Sequence, residues 1–213
     1  MVYSEILYIL LVVNKMEDEE YKKLPIDQKC VHKLWKARLH GYEEATTLFR
    51  QLEENSPEFG KYLGLVKKFV TDSNAVSQEK GLEATLAFVE NYTHAGKTVG
   101  EVMSGIVTKC IAAPKMKTRE LALQISLMYI EIEKQDAVEE ELIKGMESKN
   151  PKIVAACVSV CSTALSEFGS RVITIKPLVK KITVLFSDRD KGVRDEARLL
   201  VIEMYKWIGQ VLK

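Results

Sequence analysis

The chain has 213 residues, 46% of them hydrophobic and 29% charged, a balance that supports a buried core and excludes a disordered or fibrous polypeptide. With 31 Lys and Arg against 30 Asp and Glu, the formal net charge is +1, so no overall field draws in a polyanion and any electrostatic partner must be met by a local patch. In chain order, the first fifteen residues, MVYSEILYILLVVNK, hold an unbroken apolar run from Ile6 to Val13. That run is far short of the ~20 residues that cross a bilayer. Glu5 before it and NKMEDEE after it are not the flanks of a secretory signal. Residues 1–15 therefore read as an extension, with Met16 as an alternative start, and residues 16–213 as one domain. From there on, apolar residues recur at helical spacing, as in Leu82, Leu86 and Val89 or Val158, Leu165 and Phe168, with almost no strand-like alternation. Ser56-Pro57 and Asn150-Pro151 each set a capping side chain before a proline at the first helical position and mark two helix starts. Pro177, near the start of a further apolar stretch, either bends it or resets its first turn.

An internal repeat organises these elements. TDSNAVSQEKGLEA, AAPKMKTRELAL, ESKNPKIVAACVSV and SDRDKGVRDEARLL overlay as a short polar turn feeding a helix, and LHGYEEATTLF supplies a fifth member. The small or apolar residue two turns into that helix is Ala45, Gly81, Leu121, Cys157 and Ala197 in turn, at intervals of 36, 40, 36 and 40 residues. Such a period predicts HEAT-type helix pairs from about residue 24 to 211. A lone helical hairpin cannot cover its own apolar stripe, so the pairs stack. The predicted fold is a single elongated, all-α solenoid, with the turn inside each pair falling on one edge.

That edge concentrates charge. Residues 35–40, 71–77, 113–119, 148–152 and 187–194 together hold a formal +7, in a chain whose total is +1. Trp35, in HKLWKAR, stands at one end of it. Asn74, Asn150 and Asp190 fall at the same position, immediately before a helix, and are expected to cap exposed amides. Trp207 is expected to pack within the last pair. The four cysteines lie in apolar runs without metal spacing and read as reduced core thiols, and the three histidines are scattered. HAGKTVG lacks the earlier glycine of a phosphate-binding loop, and no nucleophile or dinucleotide motif occurs. The reading is of a binding protein without catalytic activity, cofactor or metal, monomeric and away from membranes. Nucleic acid is a weaker alternative, since stacking aromatics are not interleaved with the basic turns. A general HEAT adaptor for another acidic protein is the other alternative.

The segments EYKKLP, KCVHKLWKARLHGYEEA, LVKKFVTDSNAVSQEKGLEA, MYIEIEKQDAVEEELIKGMESKNPKIV and FSDRDKGVRDEA closely resemble the first TOG domain of the mini spindles and chTOG family of microtubule polymerases. The resemblance covers about residues 16 to 211 and leaves the first fifteen unmatched. It implies a paddle of five or six HEAT repeats whose turn edge binds one soluble, curved αβ-tubulin heterodimer. By motif position it implies that Trp35 packs on β-tubulin beside Ser73, Asn74, Ala75 and Val76. It implies too that Lys115, Lys117, Lys149, Lys152, Arg189, Lys191 and Arg194 reach acidic tubulin surface towards α-tubulin. The implied setting is the cytoplasmic cytoskeleton: spindle poles, centrosome and microtubule plus ends.

Overall fold

Each turn segment read from the sequence leads into a long helix. The structure is a computed structural model and describes residues 20–208, so the extension read over residues 1–15 lies outside the described residues. Among the described residues, α1 (Ile26–Cys30) and α2 (Trp35–Gln51) form the first pair, α3 (Val66–Val70) and α4 (Ala75–Asn91) the second, and α5 (Val99–Gly105) and α6 (Met116–Glu131) the third. The fourth pair is α7 (Gln135–Gly145) with α8 (Pro151–Phe168), and the fifth is α9 (Ile175–Phe186) with α10 (Lys191–Ile208). Short 3-10 segments at Pro57–Lys61 and Ala95–Thr98 and a π-turn at Ile106–Cys110 complete the first helices of the second and third pairs.

The two proline-marked starts behave differently. Asn150 accepts from the Lys152 amide at 3.0 Å and opens the full length of α8. Ser56 accepts from the Glu58 amide at 3.4 Å but opens only the 3-10 segment, because Gly60 and Gly64 remove helix propensity from the residues that follow. Pro177 is the third residue of α9, where an amide has no intrahelical acceptor, so it shapes the first turn without bending the helix.

The second helices α2, α4, α6, α8 and α10 pack in sequence as one layer, and α3, α5 and α7 form the layer behind them. Ala45, Gly81, Leu121, Cys157 and Ala197 are all buried, as the repeat requires. At Gly81 a Cβ would stand 2.3 Å from the Phe69 carbonyl oxygen, so only glycine lets α4 lie this close to α3. The first two pairs bury an aromatic cluster in which Phe49 meets Phe88 at 5.4 Å and Phe59 stacks on Tyr92 at 4.7 Å between ring centroids. Further along, the core turns aliphatic, with Ile125, Leu142, Val158 and Leu165 enclosed.

Cys30, Cys110, Cys157 and Cys161 are buried and unbridged, and burial pushes the thiols of Cys110 and Cys157 up to about 12. Thr98 of the GKT segment shares a buried hydrogen bond with Tyr129 (2.7 Å), a packing role. Trp207 is half-buried, packs over Gly169 at the end of α8 and donates to Glu203 of its own helix at 3.3 Å, so it seals the fifth pair against the fourth where packing within the last pair was expected. The fifth pair is attached mainly through α10 on α8, whereas α9 packs chiefly on α10.

Candidate functional site

Four of the five turns inside the pairs share a construction, the exception being the third, where Ala113 has no side-chain acceptor. Two residues before the capping position, a side chain accepts the cap residue's own amide: His32 Nδ1 from Leu34 (3.1 Å), Asp72 Oδ1 from Asn74 (2.8 Å), Ser148 Oγ from Asn150 (3.2 Å) and Asp188 Oδ1 from Asp190 (2.8 Å). Local bonds of this type compete with helix extension and so hold the chain in a turn. The cap then satisfies the helix start. Asn74 accepts from Val76 and Ser77, Asn150 from Lys152 and Asp190 from Val193. All three expected caps are present.

An arginine at the fourth helical position closes three of the turns. Arg38 Nη1 donates to the carbonyls of His32 and Lys33 at 2.8 and 3.0 Å. Arg119 does so to Ala113 and Pro114 at 2.7 and 2.8 Å, and Arg194 to Asp188 and Arg189 at 2.7 and 2.9 Å. Sequence reasoning counted these arginines as edge charge and missed the clamp. Its signal was present, since each arginine stands six residues after the first residue of its turn, His32, Ala113 or Asp188.

The charge of the edge is uneven once partners on neighbouring elements are set beside the turn segments. Arg38 holds Asp72 of the next turn through two bonds, Nε to Oδ2 at 2.6 Å and Nη2 to Oδ1 at 2.7 Å, and the Tyr42 hydroxyl donates to the same carboxylate at 2.9 Å. Burial works to raise the Asp72 carboxyl, but the bonds from Arg38, the Asn74 amide and Tyr42 outweigh it and hold the carboxyl below its ordinary range. Lys115 and Lys117 lie on the edge as read, yet both face carboxylates of α4: Glu79 stands 3.6 and 3.5 Å from them, and Glu83 is 2.5 Å from Lys117. Lys80 extends this chain of alternating charge to Glu83 at 2.9 Å and Glu43 at 3.9 Å. Glu79 and Glu83 lie within α4, beyond the turn segments, and so escaped the count of +7. Lys149, Lys152, Arg189 and Lys191 are exposed and have no ion-pair partner among the described residues. Exposed cations free of ion pairs thus stand on the fourth and fifth turns, the fifth also carrying Asp188 and Asp190.

The first three turns present apolar side chains instead. Trp35 begins α2 and is 40% exposed, Val76 is the second residue of α4 and 47% exposed, and Met116 begins α6 and is 66% exposed. Ser77 Oγ donates to the Trp35 carbonyl at 2.9 Å, which fixes the first turn against the second. Ser73 and Ala75 are exposed beside Val76. Met116 was not singled out by the sequence reading. Between the fourth and fifth turns lies an open groove of about 850 Å³, lined by Lys149, Pro151, Val154, Val184 and Arg189 among others. Among the described residues, no group of three or more His, Cys, Asp or Glu is placed to hold a metal ion.

Comparison with known proteins agrees with this architecture. Residues 20–213 match the family described as XMAP215/Dis1/CLASP, TOG domain. Protein mini spindles of Drosophila melanogaster is 65% identical over 198 residues, which cover 92% of this chain and 10% of that protein. The spindle pole body component alp14 of Schizosaccharomyces pombe is 33% identical over 207 residues, covering 94% of this chain and 26% of that protein. The chain therefore spans a tenth to a quarter of the length of these relatives. Among solved structures, the third TOG domain of Drosophila Mini spindles superposes with a TM-score of 0.76 at 21% identity, covering 89% of this chain and 85% of that one. A TOG-array microtubule polymerase chain superposes with a TM-score of 0.78 at 24% identity, covering 87% of this chain and 41% of that one. In fold and in sequence, then, this chain belongs to the TOG-domain family of XMAP215, Dis1 and CLASP.

Proposed function

We propose that this chain binds one soluble αβ-tubulin heterodimer along its turn edge, as the first TOG domain of a longer microtubule polymerase. The observation that carries the reading is the division of that edge into an exposed apolar part around Trp35 and a part where Lys149, Lys152, Arg189 and Lys191 stand exposed without ion pairs among the described residues. A partner that meets it must be a folded protein with an apolar patch at one end and acidic surface at the other. Solved relatives of this fold concern tubulin recruitment by TOG arrays and TOG–tubulin binding specificity, which supports tubulin as that partner.

In this reading Trp35, with Ser73, Asn74, Ala75 and Val76 beside it, meets β-tubulin, and the cations of the fourth and fifth turns meet α-tubulin. Lys115 and Lys117 lie between the two, already balanced by Glu79 and Glu83. Arg194 serves mainly by holding the fifth turn in shape for Arg189 and Lys191. The chain acts by binding, as a monomer without chemical catalysis, on the cytoskeleton at spindle poles, centrosomes and microtubule plus ends. An aromatic that leaves water at an interface is the usual anchor, so truncating Trp35 should cost ~2 kcal/mol or more of binding.

Gel filtration with soluble αβ-tubulin tests the proposal. A one-to-one complex is expected, and it should be lost when Trp35→Glu is combined with Lys191→Ala while helical circular dichroism is retained. Separate elution of the wild-type chain and tubulin would overturn the reading; capture of unfolded acidic tubulin tails alone would instead support a general adaptor.

A further inference from the structure

We infer that Met116 is a contact residue of the edge, the third step of an apolar ridge that begins at Trp35 and Val76, and that it, rather than the lysines on either side of it, makes the third turn's main contact with the partner. The inference rests on the tubulin reading above and deepens it.

Single exposed apolar residues are ordinary on protein surfaces. Recurrence at one place in the fold is not. Trp35 and Met116 are each the first residue of a long helix, and Val76 is the second residue of the long helix between them. In the fourth and fifth pairs the same two places hold Pro151 with Lys152 and Lys191 with Gly192, so a large apolar side chain occupies this helix-start position only in the first three pairs, while the exposed Val184 of the fifth pair lies at the end of its first helix. Met116 is the most exposed of the three, at 66%.

The neighbouring lysines are poorly suited to contribute attraction. Lys117 is hydrogen-bonded to Glu83, and Glu79 stands 3.5 and 3.6 Å from Lys117 and Lys115, so the charge of both is partly balanced within the chain before any acidic partner arrives. Met116 carries no charge. Its unbranched thioether adapts to an irregular apolar surface, which suits the middle of an interface whose two ends are fixed by Trp35 and by the cations.

Binding of fluorescently labelled αβ-tubulin to the whole chain, titrated at two salt concentrations, separates the alternatives. Met116→Gln removes apolar surface from an exposed helix start without disturbing the core, and its thermal melt should match the wild type. It should weaken binding about fivefold or more with an unchanged salt dependence. Met116→Leu should restore most of the affinity, and Lys117→Ala should stay within about twofold of the wild type. If the wild type binds and Met116→Gln binds within twofold of it, the ridge ends at Val76 and this inference fails while the tubulin reading stands. A larger loss from Lys117→Ala than from Met116→Gln also overturns it. Absence of wild-type binding overturns the tubulin reading and this inference with it.

Discussion

Arg38 and Asp72 join the first two turns: one guanidinium grips the carbonyls of its own turn through Nη1 and the carboxylate of the next turn through Nε and Nη2. The Asp72 side chain is only 1% exposed. Removing one partner of a buried pair strands the other, which costs more than the pair itself contributes. Asp72→Ala should therefore lower stability by about 3 kcal/mol, measured by chemical denaturation. A loss under ~1 kcal/mol would mean that water replaces the carboxylate at this boundary.

The same carboxylate sets an acid limit. Its folded-state value lies below the ordinary 3.8, so its contribution is fully present above that value and is lost as pH falls through the lower folded value. Wild-type stability should drop across that acidic window, and the Asp72→Asn variant should lack this part of the drop. Parallel pH profiles for the two proteins would show that other carboxylates govern acid unfolding.

Gly81 gives a test of the repeat packing. A Cβ there would stand 2.3 Å from a backbone oxygen of α3, and backbone cannot swing aside as a flexible side chain can. Gly81→Ala should destabilise by about 2 kcal/mol or more, although alanine is the better helix former. An unchanged or raised melting temperature would show that α3 and α4 separate readily.

Salt should act on one end of the edge only. Lys149→Ala and Lys191→Ala should each reduce both the affinity for tubulin and its salt dependence, chiefly through slower association. Trp35→Ala should reduce affinity and leave the salt dependence as it is. Stopped-flow association at several ionic strengths distinguishes these outcomes, and equal salt effects from Trp35→Ala and Lys191→Ala would contradict the division of the edge.

What was legible in the sequence was local. The period of the repeat follows from buried positions such as Ala45 and Cys157, and the caps at Asn74, Asn150 and Asp190 act on amides two or three residues away. The pairings that reshape the edge span more distance. Arg38 and Asp72 are separated by 34 residues, as are Lys117 and Glu83. A count made turn by turn includes Asp72 but not its pairing with Arg38, and it cannot register a partner supplied by the preceding long helix, as Glu83 is for Lys117. Met116 escaped for a related reason, because its exposure depends on where α6 begins, a boundary that no side-chain cap marks at Lys115.

The bonds that close the turns lie within the chain: in four turns a side chain binds the turn's own amide, and in three an arginine binds the turn's carbonyls. Association then has few loops to immobilise, and little ordering entropy is lost on contact. Such an edge behaves as a gauge of fixed profile, which discriminates between partners by their shape and does not mould itself to each one.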